Sequence, residues 1–401
     1  MKRATRIVKA LLPAPCFGGL VCIVSNLQFR RGRYGDSLLK VLGWQSIRRL
    51  FNSIAAEWCE QQQTVRVFNK PTNAIFELTN HCNLRCPLCN TGGLRDQFSS
   101  VDRGMMSFST FKAGIDRLLP ELQSIMLYSW GEPLYNKDLN RCIAYARRHG
   151  ILTQISSNMM VCGEEKSRGL IEAGLSKIIV SCDGLTQESY EKYRVRGNLA
   201  KVTRNALRLI ELKRELGVEY PEVTLQFIVF KHNEDEMAEF EKIWMERGAD
   251  RVDFIRMSYM SQEGEDVARE LDLVPRNSTF RPYHPYGSLK RCSDPYHHVT
   301  INWNGDWYTC CFPPGELEYR FGNIVDDNFW GVWNGPRYRY SRELIKRQRV
   351  GNNPVDTMCH DCTGVFPNDS TRRYWKIRRG DVEESGPDAP AGPNRDAGAE
   401  I

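Results

Sequence analysis

Between residues 73 and about 270, short apolar runs alternate with amphipathic stretches of helical period, and this alternation limits what the chain can fold into. Runs at 74–78, 124–128, 152–156, 177–181, 223–229 and 251–255 read as strands. The segments 108–119, 137–149, 164–173, 200–216 and 234–248 read as the helices between them. Strands joined through helices pair in parallel, because a helical crossover returns the chain to the same end of the sheet. Six such strands fall short of the eight that close a barrel. The expectation is therefore an α/β fold, a partial (βα)6 TIM-like barrel spanning 71–275, with its site at the C-terminal strand ends where the loops gather.

The flanking regions differ in composition. Residues 1–70 form a basic, mainly helical N-terminal extension. Its first fifty residues hold Lys2, Arg3, Arg6, Lys9, Arg30, Arg31, Arg33, Lys40, Arg48 and Arg49 against one acid, Asp36. Such a segment is either a solvated basic face or one that meets an acidic partner, a phospholipid surface or another protein. Trp44, Ile47, Phe51, Ile54 and Trp58 fall at three- and four-residue steps and make one apolar stripe. Packing on the main domain is the expected use of that stripe, and a membrane surface the alternative. Residues 285–365 are rich in aromatics, Gly and Cys and read as a small hairpin-plus-helix domain, with Asn304-Gly305 as the turn of a hairpin over 299–308. The Gly-, Pro- and acid-rich residues 380–401 read as a disordered tail. Lys2 to Lys9 followed by the apolar 11–24 resembles an export signal, but Pro13, Pro15, Gly18 and Gly19 interrupt it. No apolar run reaches membrane-spanning length either, so neither export nor a membrane span is expected.

Fourteen cysteines is a high count for 401 residues. Seven fall in two groups with ligand-like gaps, which points to metal rather than disulfides. Cys16, Cys22, Cys59, Cys142, Cys162, Cys182 and Cys311 are scattered, and most read as small buried hydrophobes. The first group, Cys82-Asn-Leu-Arg-Cys86-Pro-Leu-Cys89, lies just past the first strand. Soft thiolates select iron–sulfur clusters or zinc. Zinc wants a fourth nearby ligand, and His81 would point away along an extended strand, so iron–sulfur is preferred with zinc as the alternative. Three thiolates leave one iron of a four-iron cluster unclaimed by protein, a position where a small molecule can chelate and receive an electron.

The cysteine pattern, its place after the first strand and the polar motifs at the next strand ends resemble the radical S-adenosylmethionine (SAM) superfamily over residues 73–270. The resemblance implies a 4Fe–4S cluster on Cys82, Cys86 and Cys89, with SAM bound at the open iron. It also implies reductive cleavage of SAM to a 5′-deoxyadenosyl radical, the cofactor carrying the chemistry. Trp130-Gly131-Glu132-Pro133, after the second strand, is similar to the family's Gly-Gly-Glu motif that receives the SAM ammonium. Gly131, Glu132 and Pro133 are thus cofactor-binding candidates, and Trp130 departs from the family's first Gly. Ser156-Ser157-Asn158 and Ser181-Cys182-Asp183-Gly184 resemble the polar strand ends that contact the SAM ribose and carboxylate. Ser157, Asn158, Ser181 and Asp183 are candidates there, with capping and turn formation as the alternative. Tyr193-Arg194-Val195-Arg196-Gly197 is similar to the family's subsequent Arg-Gly step, with Arg196 as a candidate partner of the SAM carboxylate or else a surface charge.

Cys292, Cys310, Cys359 and Cys362 are separated by seventeen, forty-eight and two residues. Four thiolates close a metal site, either structural zinc or a second iron–sulfur cluster. After a radical SAM barrel this arrangement resembles the shortened SPASM, or twitch, extension, which implies one auxiliary 4Fe–4S cluster. Gly322-Asn323-Ile324 and Trp333-Asn334 are similar to segments beyond the hairpin there. Cys311 competes with Cys310 as ligand, and Cys310 is preferred; His360 reads as a turn residue.

The resemblance implies an enzyme that abstracts hydrogen from a C–H bond and removes the remaining electron through the auxiliary cluster. A small substrate, such as a sugar- or cyclitol-derived molecule, is the leading expectation. Thioether or crosslink formation in a ribosomally made peptide is the alternative, and a non-catalytic iron–sulfur or zinc module the alternative from another class. A flavodoxin- or ferredoxin-like electron donor is implied, and no nucleic acid partner. Iron–sulfur thiolates need a reducing compartment, so a cytoplasmic location is expected. No catalytic base stands out among the loop residues.

Overall fold

A computed structural model describes residues 44–93, 102–258, 262–282, 292–310 and 319–347, together with 357 and 359. Residues 1–43 and the tail expected at 380–401 lie outside the described residues. Helix α1 (Trp44–Gln61) leads into β1 (Asn73–Phe76), and βα units follow: α2 (Phe108–Leu118), β2 (Ser124–Met126), α3 (Leu139–Arg148), β3 (Leu152–Ser157), α4 (Glu164–Ala173) and β4 (Lys177–Ser181). The chain continues through α5 (Gln187–Tyr193), α6 (Leu199–Glu215), β5 (Glu222–Val229), α7 (Met237–Glu246), β6 (Arg251–Arg256) and α8 (Gln262–Glu270). It then enters α9 (Asp294–His297), β7 (His298–Ile301), β8 (Asp306–Tyr308), β9 (Gly322–Asn323), α10 (Phe329–Trp333) and α11 (Pro336–Arg347).

β1 to β6 pair in parallel in sequence order, as the βα alternation predicts. One face of each strand is apolar. Ile155, Ile178, Val180, Val223, Leu225 and Phe227 are fully buried in the main core together with the helix residues Leu170, Val202, Ala206 and Leu209. At roughly 1.5–3 kcal/mol per buried large aliphatic side chain, this face drives the fold. Local sequence sets the helix ends. The Ser107 and Asn198 side chains accept from the backbone N–H of Thr110 and Lys201, and α4 stops at Gly174 in the left-handed region. Short α5 is an addition to the elements expected from the sequence.

The expected C-terminal hairpin forms, with Gly305 at φ 90° in its turn. It does not stand apart as a separate layer. β7 pairs in parallel with the free edge of β1, and the sheet runs β6-β5-β4-β3-β2-β1-β7-β8-β9. The edge of β1 carries a row of unpaired backbone groups, and β7 satisfies them.

α1 packs with the face opposite to the one its sequence pattern indicates. Its buried residues are Arg49, Asn52, Ser53, Ala56 and Cys59. Arg49 donates from Nε to the Pro120 carbonyl (3.1 Å), from Nη1 to Gly150 (2.9 Å) and from Nη2 to His149 (2.7 Å). Asn52 exchanges two hydrogen bonds with the Lys70 backbone, and Gln123 Nε2 donates to Ser53 Oγ. Those carbonyls precede β2 and β3, so α1 closes the N-terminal end of the barrel, away from the cysteine loop. The expected packing of the apolar stripe on the main domain is thereby corrected. Ile47, Phe51 and Trp58 are 43%, 66% and 47% exposed, because polar groups with fixed carbonyl and amide partners occupy the inner face. Among the described residues no helix is long and apolar enough to cross a membrane.

Arg49→Met should lower unfolding free energy by roughly 2–4 kcal/mol, since three half-buried carbonyls lose a charged donor. Denaturant unfolding followed by circular dichroism reads this, and a change below about 0.5 kcal/mol would show that the guanidinium does not hold the joint.

Candidate active site

The three clustered cysteines share one loop past the C-terminal end of β1. Cys89 N–H donates to the Cys86 carbonyl (3.1 Å), as does Gly93 N–H (2.8 Å), and Gly92 N–H donates to Cys89 (2.9 Å). A Cβ at Gly92 would lie 2.7 Å from the Cys86 carbonyl oxygen, and one at Gly93 2.3 Å from that of Pro87, so only glycine lets the loop close this tightly. Each sulfur has a polar neighbour: Asn158 Nδ2 is 3.8 Å from Cys82 Sγ, Arg194 Nη1 3.9 Å from Cys86 Sγ, and Thr91 Oγ1 3.2 Å from Cys89 Sγ. Leu84, Leu88, Tyr193, Phe230 and Met257 form an apolar shell around them. Burial pushes the Cys82 thiol up to about 11 and Cys86 to about 12, with Arg194 pulling against the shift. A bound metal cluster would offset this burial cost by supplying positive charge to the thiolates.

Glu77, immediately after β1, is not among the candidates the sequence motifs single out. It is buried, and its carboxylate accepts from Trp130 N–H at 2.5 Å and Gly131 N–H at 3.3 Å. It thereby hangs the 130–132 loop from the strand that carries the cysteines. A Cβ at Gly131 would come within 1.9 Å of the Thr79 carbonyl oxygen, so glycine here lets the 130–132 loop approach the chain's own backbone. Glu132 is also buried. It accepts from the backbone N–H of Asn158 (2.8 Å) and Leu134 (3.2 Å), donates its own N–H to the His81 carbonyl, and precedes a single 3₁₀ turn opened by Pro133. Burial pushes both Glu77 and Glu132 up to about 7 against these hydrogen bonds. The sequence signal for Glu77 is an acid directly following an apolar strand.

The remaining candidates gather at neighbouring strand ends. Ser157 Oγ accepts from Met159 N–H, and the Asn158 side chain donates to Asn83 (2.9 Å) while accepting from Met160 N–H. The hydroxyls of Ser156 and Ser181 approach to 3.5 Å across β3 and β4. Asp183 is fully buried, accepting from Arg194 Nε (2.5 Å) and Ile228 N–H (2.7 Å). Arg196, named from the sequence, is exposed and sits at φ 72°. The arginine brought to the thiols is its neighbour Arg194, because α5 ends there and turns the following residues outward.

The chain matches the model of the radical SAM superfamily over residues 76–242, and that of an iron–sulfur cluster-binding domain, SPASM, over residues 292–363. The chain thus carries a radical SAM domain followed by a SPASM domain. Its relatives include the Fe-coproporphyrin III synthase of Methanosarcina barkeri, 29% identical over 51% of this chain and 49% of that protein. They also include the tungsten-containing aldehyde ferredoxin oxidoreductase cofactor-modifying protein of Pyrococcus furiosus, 24% identical over 72% of this chain and 86% of that one. The chain thus spans about half the length of the first relative and most of the second. The solved structure of Streptococcus suis SuiB bound to S-adenosylmethionine shares the fold at TM-score 0.57 and 13% identity, over 83% of this chain and 84% of SuiB. SuiB has also been solved bound to precursor peptide SuiA, with a TM-score of 0.54.

The two domain matches imply SAM, a 4Fe–4S cluster and auxiliary iron–sulfur clusters. The residues present fit the first cluster: three thiols on one loop, an apolar shell, and a buried amide, Asn90 Nδ2, beside Cys89 with no hydrogen-bond partner among the described residues. In the SPASM region Cys292 and Cys310 are half-buried and Cys359 is buried beside Tyr308, Tyr319, Tyr340 and Leu344. Cys311, Cys362 and His360 lie outside the described residues. Thr300 faces Tyr308 in the hairpin, so Cys310 lies back toward the N-terminal end of β1, whereas Cys82 lies beyond its C-terminal end. Among the described residues, the two cysteine groups therefore lie toward opposite ends of one sheet. Buried Arg342 braces the SPASM end by donating to the carbonyls of Pro295, Val65 and Trp333 within a cage of Tyr296, Trp333 and Tyr338.

A raised carboxyl pKa means the folded protein keeps protons that the unfolded chain has lost between pH 4.5 and about 7, so these two groups make stability fall as pH rises through that window. Infrared spectra should show a protonated-carboxyl band that disappears between about pH 6 and 8 and diminishes in Glu77→Gln and in Glu132→Gln. A band unaltered by either substitution would refute the assignment.

Proposed function

We propose that Cys82, Cys86 and Cys89 hold the SAM-cleaving 4Fe–4S cluster and that Cys292, Cys310, Cys359 and Cys362 hold an auxiliary one. On this reading the enzyme oxidises a C–H bond of a small, sugar-, cyclitol- or cofactor-like substrate. The carrying observation is the closed loop that sets three thiols together at the strand ends, each with a polar neighbour and all within an apolar shell. Bound SAM supplies a 5′-deoxyadenosyl radical on one-electron reduction. A substrate hydrogen atom taken by that radical would end in 5′-deoxyadenosine; a cluster on Cys292, Cys310, Cys359 and Cys362 would supply the one-electron acceptor for the substrate radical, whose proton would go to water.

The chain's own residues bind and orient. Glu77 holds the 130–132 loop so that its backbone, with Glu132 behind it, faces the SAM ammonium. Ser156 and Ser181 offer hydroxyls to the ribose, while Asn158 and Arg194 orient the cluster side of the pocket. Asp183 fixes Arg194, and the surrounding apolar side chains exclude water. A flavodoxin- or ferredoxin-like protein is the proposed electron donor. Two relatives whose names describe work on a porphyrin and on a metal cofactor support a small substrate. The SuiB likeness favours the second reading, a peptide substrate.

Anaerobic reconstitution should give roughly eight irons per chain and release 5′-deoxyadenosine after reduction. Replacing Cys82, Cys86 and Cys89 by Ala should abolish that release, whereas Cys359→Ala should spare it and block product. Zinc in place of iron, with no SAM cleavage, would reject the function; full turnover by Cys359→Ala would reject the auxiliary role.

A further inference from the structure

Four large apolar side chains stand together on the outer surface of α1 and the segment after it. Ile47, Phe51 and Trp58 lie within one narrow arc of the helix, a strip about 16 Å long at 1.5 Å per residue. Phe68, 64% exposed, extends the strip by packing on Trp58 with ring centroids 5.7 Å apart. The helix is inverted relative to a surface helix that only covers a core. Its polar Arg49, Asn52 and Ser53 face inward and its aromatic residues face out. Contiguous exposed apolar surface of this kind marks an interaction site.

Charge and position identify what covers it. The 43 residues that lead directly into this helix hold Lys2, Arg3, Arg6, Lys9, Arg30, Arg31, Arg33 and Lys40 against the single acid Asp36. Arg66, exposed, adjoins the strip in sequence, as does Arg48, whose guanidinium pairs with Glu121 (2.5 Å). Aromatic and aliphatic side chains on one helix face, joined to a basic segment, are the features of a helix lying in a lipid headgroup region. Each basic residue near an anionic surface adds about 1 kcal/mol there. Because the inner face of α1 is bonded to the carbonyls that precede β2 and β3, the strip faces away from the cysteine loop. A membrane bound at this end leaves the mouth of the SAM site open to water.

We propose that the Ile47–Phe51–Trp58–Phe68 strip docks this enzyme on an anionic phospholipid surface. The reading does not depend on the proposed substrate. The test is flotation of the full-length, cluster-loaded protein with vesicles of phosphatidylcholine alone or mixed with phosphatidylglycerol. Binding should occur on the anionic vesicles and fall several-fold in high salt. It should be lost in Phe51→Asp/Trp58→Asp and kept in Phe51→Leu/Trp58→Phe, with circular dichroism, iron content and SAM cleavage in buffer unchanged in all variants. The proposal is overturned if wild type binds neither vesicle, or if the Asp variant floats as well as wild type. It is overturned equally if light scattering shows a wild-type dimer that the Asp substitutions dissociate, since the strip then belongs to a second copy of the chain.

Discussion

β1 is hydrogen-bonded along both edges, to β2 on one side and β7 on the other, and the arrangement of every chemical group in this protein depends on that. The strand is four residues long, yet its continuation supplies Glu77, Thr79 and Cys82 in turn. Because β7 takes the edge that an open barrel would leave bare, the SPASM hairpin is built into the same sheet and inherits its direction. The thiols of the radical site then emerge past one end of β1 while Cys310 comes to lie toward the other.

Around that strand the protein solves a problem of buried charge. Glu77, Glu132 and Asp183 are removed from water, which would penalise their ionised forms heavily without partners. Backbone N–H groups meet all three, and Arg194 meets Asp183. Each of these bonds also fixes a loop: Glu77 the 130–132 turn, Glu132 the start of the 158–160 turn, Asp183 the arginine beside Cys86. Candidate ligand-binding residues thus serve first as internal struts. The surface they present to a cofactor is largely backbone and hydroxyl, positioned by carboxylates that lie behind it.

Much of this is legible in the sequence. The six parallel strands follow from the spacing of apolar runs, and the cysteine trio from the placement of thiols just beyond the first of them. The hairpin turn at Asn304-Gly305 follows from the need for a left-handed residue. Spacing does not rank Arg194 against Arg196, since which of two alternate residues points inward depends on where α5 ends. Glu77 carries a visible signal, a charge following an apolar strand, but its partners lie more than fifty residues further along. The stripe on α1 is real as a stripe, yet it is not the buried face. Periodicity reports that one face differs from the other, and here the inner face is the polar one.

What the sequence determined by itself is local: element type from hydrophobic period, loop chemistry from thiol spacing, and turn positions from glycine, all set by interactions between residues close along the chain. The tertiary structure alone decided which face of α1 turns inward, which arginine reaches Cys86, and that the SPASM hairpin extends the barrel's sheet. Those outcomes depend on hydrogen-bond partners contributed by distant segments, and no pattern within a short window records which carbonyl or strand edge a folded chain will bring alongside.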